Sequence, residues 1–315
     1  MSDTHLNAEA AQSTALRVLS RFWPDWRGAL IPLKPLSKPL RATPFRVTGG
    51  PVPAVIKVWG PGNLAKATAQ ADRQRDVAGF LGKAPHRAPA VLDFDSSQCA
   101  LLMQDTCGDP LDAVLDSAAA DDADTILTKV GSWIAALHAP SRQSQPFRPK
   151  GHIAWLEKLT NQVRTGARIP PDAQGFCAVA SQIASDGLAL RGKPSTRAIT
   201  HKDLTPGNLM VDRAGTIWGI DFENAAMDEP LRDLFSVSSA LMAHSPHGTR
   251  RAAITALFSG YGDLQTNPDV ARFLFRAFAL GLWARTPAEP SRRQAQLWAA
   301  AQEILNSPDA LPDRV

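Results

Sequence analysis

The stretch ITHKDLTPGNLMVDRAGTIWGIDFEN, residues 199–224, constrains this chain more than any other feature of its sequence. Two apolar runs within it have the length of short β-strands, and turn residues separate them. His201, Asp203 and Asn208 precede or begin the first run, and Asp221 and Glu223 follow the second. The pattern predicts a short hairpin that fixes Asp203 and Asn208 before its first strand and Asp221 after its second strand.

Two interpretations of this stretch compete. Asp, Asn, Pro and Gly are ordinary turn residues, so a surface hairpin would use the same letters. Phosphoryl transfer, however, needs a carboxylate to orient or deprotonate the attacking hydroxyl and oxygen ligands to hold Mg²⁺ on nucleotide phosphates. The spacing His201-x-Asp203-x₄-Asn208, with Asp221 at a strand end 13 residues later, supplies that set. The joint spacing favours the catalytic interpretation.

The motif HKDLTPGN resembles the protein-kinase catalytic loop, and DFE stands where that family has DFG. With PLRDLFSV soon after, the pattern is most similar to the aminoglycoside phosphotransferase and choline kinase family. Only 12 residues separate Asp221 from Asp233, which leaves no room for a protein-kinase activation segment. The resemblance implies an ATP- and Mg²⁺-dependent kinase of small molecules. It implies the following roles: Asp203 as catalytic base, Asn208 and Asp221 as Mg²⁺ ligands, His201 as a structural brace, Glu223 as an assistant to metal or substrate, and Asp233 as a buried acceptor that steadies the catalytic loop.

The rest of the chain fits an α+β, two-lobed protein-kinase-like fold. A helix at about 8–22 precedes strand-like runs between residues 29 and 59, then an amphipathic helix at 63–84 and two further strands. From residue 111 the pattern is mostly helical. We therefore expect an antiparallel N-terminal nucleotide-binding lobe of residues 1–103 and a helical C-terminal catalytic and substrate-binding lobe of residues 104–315. The polar segments APSRQSQPFRPKG and RGKPSTRA are interpreted as linkers.

Lys57 in AVIKVW matches the lysine that family members carry on the third strand, where it reaches the nucleotide phosphates. Taken alone, such a lysine would more often be the solvent-facing residue of an alternating strand. In the family this lysine pairs with a helix glutamate, and alignment places Gln74 at that position. A glutamine would make a weaker, uncharged partner.

Two further nucleotide contacts follow from position in the family fold. The segment from Gln104 to Thr106 resembles the hinge, whose backbone groups would bind adenine, although an ordinary strand and turn fit the letters equally well. The phosphate loop at 36–45 contains no glycine, so side chains would replace backbone contacts there. The candidates in this loop are Ser37, Lys38, Arg41 and Thr43.

Two other functions compete with this one. Gly60-x-Gly62-x-x-Ala65 resembles a dinucleotide-binding fingerprint, but no acidic residue follows at about 20 residues, so a turn into the helix is favoured. A pseudokinase that binds nucleotide or a partner remains the alternative, supported by Gln74 and the glycine-free loop.

Composition limits the partners. The net charge is +4 without a basic run, so no nucleic acid is expected. The sequence shows no apolar stretch long enough for a membrane span or signal peptide, and its three cysteines lack metal spacing, which predicts a cytoplasmic protein. From Asn224 onward nine acidic residues balance nine arginines, which argues against a dedicated pocket for polycationic aminoglycosides. The small-molecule acceptor stays open, and so does the oligomeric state.

Overall fold

The computed structural model describes residues 7–35, 41–244 and 250–307. Its α-helices are α1 (Ala8–Phe22), α2 (Leu64–Phe80), α3 (Leu111–Ser117), α4 (Ala120–His138), α5 (Lys150–Arg164), α6 (Ala173–Leu188), α7 (Leu231–His244), α8 (Arg250–Tyr261), α9 (Pro268–Arg285) and α10 (Arg292–Asn306). Its strands are β1 (Leu30–Pro32), β2 (Ala42–Val47), β3 (Ala54–Trp59), β4 (Gly82–Lys83), β5 (His86–Arg87), β6 (Val91–Asp95), β7 (Ala100–Gln104), β8 (Asp109–Pro110), β9 (Gln143–Pro146), β10 (Pro194–Thr200), β11 (Leu209–Val211), β12 (Ile217–Gly219) and β13 (Ala226–Asp228).

The chain divides into two compact units. The first comprises the described residues up to Val114 together with Gly207–Ala225, and the second comprises Leu115–Pro206 and the described residues from Ala226 onward. The first unit thus contains the described residues of the predicted N-terminal lobe, and in addition residues 104–114 and the hairpin formed by β11 and β12, which the sequence had assigned to the C-terminal lobe. The predicted hairpin pairs antiparallel from Leu209 opposite Gly219 to Val211 opposite Ile217.

An antiparallel five-stranded sheet, ordered β1-β2-β3-β7-β6, forms the centre of the first unit. Alternating burial along β2 sends Phe45 and Val47 into a core with Val18 and Leu19 of α1. The side chains of α2 pack into a second core with Leu101 and other residues of the sheet. The lead helix, the strands and the amphipathic helix were all predicted, because period-2 and period-3.6 burial leave clear traces in a sequence.

A smaller sheet, ordered β4-β5-β12-β11-β8, completes the first unit. Gly60 precedes a short 3-10 helix, Pro61–Asn63, that leads into α2. The glycine pair therefore makes a turn into the helix, as the sequence favoured.

The second unit is mostly helical. Helix α9 is buried along most of its length and packs against α5, α6, α7 and α10. Helices α4 and α8 approach so closely that a Cβ on Gly131 would lie 2.0 Å from the carbonyl oxygen of Leu257. Two glycines, Gly131 and Gly260, permit this contact. No described helix is both long and apolar enough to cross a bilayer.

The interpretation of residues 139–151 and 191–198 as linkers was wrong in part. They contain β9 and most of β10, which pair antiparallel from Pro194 opposite Pro146 to Arg197 opposite Gln143, and β10 pairs on its other edge with β13. Ser195, Thr196 and Thr200 are buried although they are polar, so the strand lacks the apolar alternation by which strands are recognised.

Candidate active site

Lys57 lies on β3 and is buried, so it is not the solvent-facing residue of an alternating strand. Its Nζ donates to Gln70 Oε1 at 2.8 Å and to Asp221 Oδ1 at 2.7 Å, and Glu223 Oε2 lies 3.8 Å away. The ammonium also lies 4.9 Å from the centre of the Trp59 ring. An ammonium has three hydrogens, so two strong contacts leave one for a further acceptor.

The helix partner of Lys57 is Gln70, not Gln74 as predicted. Both side chains are buried on α2, one turn apart, and Gln74 instead donates to the carbonyl oxygen of Pro89 at 2.6 Å. Residues four apart share one face of a helix, so sequence alignment alone does not separate them. The prediction that the partner is an uncharged glutamine holds with the position corrected.

Asp221 and Asn208 are brought together by the hairpin. The backbone N–H of Ile220 donates to the carbonyl oxygen of Asn208 at 3.0 Å, so the residue before Asp221 is tied to Asn208 itself. Asp221 has φ +68°, in the left-handed region that side chains rarely adopt. Backbone strain of this kind concentrates at functional positions.

Asn208 and Asp221 line one cavity of about 440 Å³ in the first unit, together with Lys57. We name it the Lys57 cavity. Amide and carboxylate oxygens are the ligands that Mg²⁺ accepts, and it commonly takes one or two from protein and others from phosphates and water. The residues present therefore fit a nucleotide-bound magnesium ion. Among the described residues, no group of three or more His, Cys, Asp or Glu side chains is placed to hold a metal ion.

Both apolar side chains and the predicted hinge line the Lys57 cavity. The apolar residues are Leu33, Pro44, Val55, Pro89, Met103, Met210 and Ile220, and the hinge residues are Gln104 and Thr106. The N–H groups of Gln104 and Asp105 donate to the carbonyl oxygens of Ala90 and Pro53. Within the described part of the chain the N–H of Thr106 has no such acceptor, which leaves it available to a ligand.

Of the residues predicted to contact phosphates from the loop at 36–45, those that the structure describes are not found in the lining of the Lys57 cavity. Ser37 and Lys38 lie outside the described residues. Thr43 is buried and Arg41 is exposed, and neither lines the Lys57 cavity. Arg46, three residues further along than Thr43, does line it, while its Nε contacts Asp105 Oδ2 at 2.6 Å.

Glu223 lies in the short 3-10 helix Phe222–Asn224, against which α2 packs. The guanidinium of Arg73 on α2 donates to the carbonyl oxygen of Glu223. The same helix that presents Gln70 to Lys57 therefore also holds the segment that follows Asp221.

Asp233 is completely buried in the second unit and accepts hydrogen bonds from the backbone at the start of the HKD motif. Its Oδ2 accepts from the N–H of His201 at 2.7 Å, and its Oδ1 accepts from the N–H of Lys202 at 2.9 Å. Lys202 has φ +66°, so these bonds stabilise a strained residue directly before Asp203. His201 itself is buried, beside the same carboxylate.

A buried network continues from Asp233 away from the motif. His138 Nε2 lies 3.0 Å from Asp233 Oδ2, and His138 Nδ1 lies 3.1 Å from the hydroxyl of Tyr261, which accepts from Arg142. Burial alone would raise the pKa of the Asp233 carboxyl, but the hydrogen bond and charge of His138, with the charge of His201, hold that pKa below its usual value. Burial also raises the pKa of Tyr261 to about 12.

Asp203 is exposed and lines a cleft of about 340 Å³ in the second unit, which we name the Asp203 cleft. Its other polar lining includes Lys202, Arg232, Arg285 and Arg293, and Trp155 and Phe278 form apolar parts of the wall. Such a cleft presents a carboxylate to a ligand of the size of a small metabolite.

Sequence reasoning missed three parts of this arrangement. The contact of Gln70 with Lys57 was assigned one helical turn too late. The network behind Asp233 was also missed, because His138, its partner Tyr261 and the Arg142 that donates to Tyr261 carry no motif. The arginines of the Asp203 cleft come from three helices, and no motif connects them in the sequence.

Comparison with known proteins identifies solved structures of similar fold. The chain resembles the macrolide 2′-phosphotransferase MphH of Brachybacterium faecium with a TM-score of 0.57 and 19% identity, over 95% of this chain and 98% of that one. It resembles aminoglycoside phosphotransferase APH(4)-Ia with a TM-score of 0.63 and 14% identity, over 94% and 99% of the two chains. For choline kinase LicA of Streptococcus pneumoniae the TM-score is 0.58 and the identity 14%, over 93% and 98%. No curated protein matches the chain by sequence.

These likenesses confirm the predicted kinase-like α+β fold. The model of the phosphotransferase enzyme family, named APH, matches residues 32–274, which is most of the chain and includes every predicted site residue. The match confirms the predicted enzyme class, a phosphotransferase that acts on hydroxyl groups of small molecules. The chain belongs to the phosphotransferase enzyme family.

Proposed function

We propose that the protein transfers the γ-phosphate of ATP to a hydroxyl of a small molecule in a Mg²⁺-dependent reaction in the cytoplasm. One observation carries the proposal: Lys57 and Asp221, 164 residues apart in sequence, meet at 2.7 Å in the wall of a single cavity that Asn208 also lines. A buried lysine, a carboxylate and an amide together are the groups that bind nucleotide phosphates and their metal.

The Lys57 cavity would receive ATP. Its apolar walls suit the adenine ring, and the N–H of Thr106 would donate to the ring edge, beside Gln104. The third hydrogen of the Lys57 ammonium would donate to a phosphate oxygen while Gln70 keeps the side chain in place. Asn208 and Asp221 would hold Mg²⁺, which neutralises charge on the β- and γ-phosphates when bound.

Asp203 would orient the acceptor hydroxyl and take its proton as the hydroxyl oxygen bonds to the γ-phosphorus. The bond between that phosphorus and the bridging oxygen breaks, ADP leaves, and the proton passes from Asp203 to solvent. Asp233 contributes by position, since it holds the backbone of His201 and Lys202 directly before Asp203. Glu223, within 3.8 Å of the Lys57 ammonium, would assist in placing that charge.

The similar proteins of known structure are named as phosphotransferases of a macrolide and of aminoglycosides and as kinases of choline and of glucosamine. They support a small-molecule acceptor without choosing among these classes. The pseudokinase alternative is supported by the glycine-free loop and by Gln70, because a neutral glutamine makes a weaker hydrogen bond with the Lys57 ammonium than a charged glutamate would.

The test measures ADP release from MgATP over a panel of sugars, amino sugars, amino alcohols and aminoglycosides, with the Asp203→Ala protein as the blank. We expect an acceptor-dependent signal that the blank lacks. Nucleotide binding by calorimetry should survive in Asp203→Ala and lose its Mg²⁺ dependence in Asp221→Ala. Equal nucleotide affinity with and without Mg²⁺ in the wild type would contradict the metal assignment, and absence of both turnover and nucleotide binding would contradict the function.

A further inference from the structure

The charge of the Asp203 cleft differs from that of the chain as a whole. Its lining contains one carboxylate, that of Asp203, and four permanently basic side chains. These are Lys202, Arg232, Arg285 and Arg293. A concave, partly apolar surface with one dominant sign of charge concentrates ligands of the opposite sign.

Two of the four cations share a single counter-ion. Asp228 Oδ2 lies 2.6 Å from Arg232 Nε and 3.5 Å from Lys202 Nζ. One carboxylate therefore balances one of these two charges. The guanidinium of Arg232 also lies 4.3 Å from the centre of the Phe278 ring, so this cation packs beside an apolar part of the cleft wall.

Arg285 and Arg293 form no ion pair with any described residue. Although the Arg285 side chain keeps an exposed face, partial burial and then the charges of Arg168 and Arg232 lower the pKa of its guanidinium. An arginine nonetheless remains a cation at physiological pH, so the mutual repulsion persists in the free protein. An anion in the cleft would relieve it.

The location of this charge selects among acceptors. An aminoglycoside is a polycation and would add positive charge to a cleft that already has an excess of it. A neutral sugar would leave the arginines without partners. An acceptor that carries a phosphate or carboxylate group would satisfy them, because guanidinium groups bind both in bidentate geometry.

We propose that the acceptor of this phosphotransferase is an anionic alcohol, whose phosphate or carboxylate group binds Arg285 and Arg293 while its hydroxyl faces Asp203. The substrate class rests on the proposed function, and it deepens that function by naming the charge of the acceptor. Arg285 and Arg293 would be specificity-determining residues and Asp203 the catalytic one.

The first test uses turnover. ADP release is compared for acceptors matched in scaffold but not in charge, namely glucose, glucosamine, gluconate and glucose 6-phosphate, and glycerol, glycerate and glycerol 3-phosphate. We expect the anionic members to be preferred, and Arg285→Gln or Arg293→Gln to raise the KM for them by about ten- to hundredfold while the KM for ATP stays unchanged. The matched control is Arg292→Gln, which lies on the same helix as Arg293 and is exposed but outside the cleft lining, and it should change neither KM.

The second test does not require turnover. Inorganic phosphate is titrated into the wild type, Arg285→Gln, Arg293→Gln and Arg292→Gln proteins and followed by calorimetry, with Lys57→Met included to detect phosphate that binds in the Lys57 cavity. We expect the affinity for phosphate to fall at least tenfold in Arg285→Gln and Arg293→Gln only. Circular dichroism of each variant confirms that it is folded.

The outcomes separate the two proposals. Preference for neutral or cationic acceptors, or an Arg285→Gln effect on the KM for ATP, would overturn the anionic acceptor and leave the phosphotransferase function intact. Absence of turnover and of MgATP binding would overturn the function, and the phosphate titration would still decide whether the arginines form an anion site. Phosphate affinity that falls in Lys57→Met but not in the arginine variants would overturn the inference. Turnover of glucose 6-phosphate without gluconate, or the reverse, would identify which anionic group the arginines bind.

Discussion

Replacement of Asp233 by asparagine tests whether the buried network stabilises the start of the HKD motif. Each carboxylate oxygen of Asp233 accepts one backbone N–H, from His201 at 2.7 Å and from Lys202 at 2.9 Å. An asparagine has one oxygen and one NH₂ group, so in either orientation one backbone N–H would face another donor. His138 would also lose its charged partner.

The magnitude follows from these contacts. A buried donor left without an acceptor costs about 1–3 kcal/mol, and the remaining hydrogen bonds lose the strengthening that a charged acceptor gives. We therefore expect Asp233→Asn to lower the free energy of unfolding by about 3 kcal/mol at pH 7. Because Lys202 depends on one of these bonds for its strained backbone, we also expect phosphotransfer to fall at least tenfold with little change in nucleotide affinity.

The effect depends on pH with a defined sign. The pKa of Asp233 is lowered in the folded protein, so its contribution to stability is complete above the unfolded-chain pKa of about 4 and is lost as pH falls through the lower folded pKa. The difference in stability between wild type and Asp233→Asn should therefore be largest near neutrality and shrink below about pH 4.

The assay is urea unfolding followed by tryptophan fluorescence at several pH values. The control is Asp269→Asn, which removes a carboxylate that contacts Lys193 at 2.6 Å but lies half exposed at the surface. We expect this control to change stability by less than about 1 kcal/mol, since exposed ion pairs contribute little. If Asp233→Asn unfolds at the same urea concentration as Asp269→Asn, the reasoning from buried hydrogen bonds is refuted.

Two further predictions concern the Lys57 cavity and the packing of the second unit. Lys57→Met should weaken MgATP binding by about ten- to hundredfold in calorimetry, whereas Lys66→Met, an exposed lysine on α2, should leave it unchanged; equal affinities would remove Lys57 from the site. Gly131→Ala should destabilise the protein by about 3 kcal/mol in urea unfolding because its Cβ would overlap the Leu257 carbonyl oxygen. Gly151→Ala, with open space around its Cβ, should be neutral or stabilising by up to about 1 kcal/mol, and equal effects would refute the close approach of α4 and α8.

The elements that the sequence predicted are those in which burial follows the backbone period. Strand β2 alternates buried and partly buried residues along its whole length, and α1 buries Ala11, Ala15, Val18 and Leu19 at helical spacing. Strand β10 was not predicted because three of its four buried residues are serine or threonine, and the two threonines donate hydrogen bonds to backbone elsewhere in the fold. Thr196, for example, donates to the carbonyl oxygen of Gln265, 69 residues away.

The candidate site was predictable where a motif sets the spacing and not where packing sets the partner. Asn208 and Asp221 are placed by a hairpin whose register the sequence encodes. The partner of Lys57 depends on how α2 is rotated against β3, and four residues along a helix change the direction of a side chain by only about 40°. That small rotation separates Gln70, which contacts Lys57, from Gln74, which contacts Pro89.

The charge of the Asp203 cleft also could not be predicted from the sequence. Nine acidic residues and nine arginines from Asn224 onward cancel in the sequence, which suggested only that no acidic pocket was present. In the fold, Asp269 and Glu303 form ion pairs at the surface, while Arg232, Arg285 and Arg293 line the Asp203 cleft, and of these three only Arg232 pairs with a carboxylate among the described residues. A ligand experiences the local field rather than the sum, because exposed charges more than about 10 Å away are screened by salt. The neutral count therefore concealed a basic cleft, and the electrostatics of that cleft bear more directly on the acceptor than the composition of the chain does.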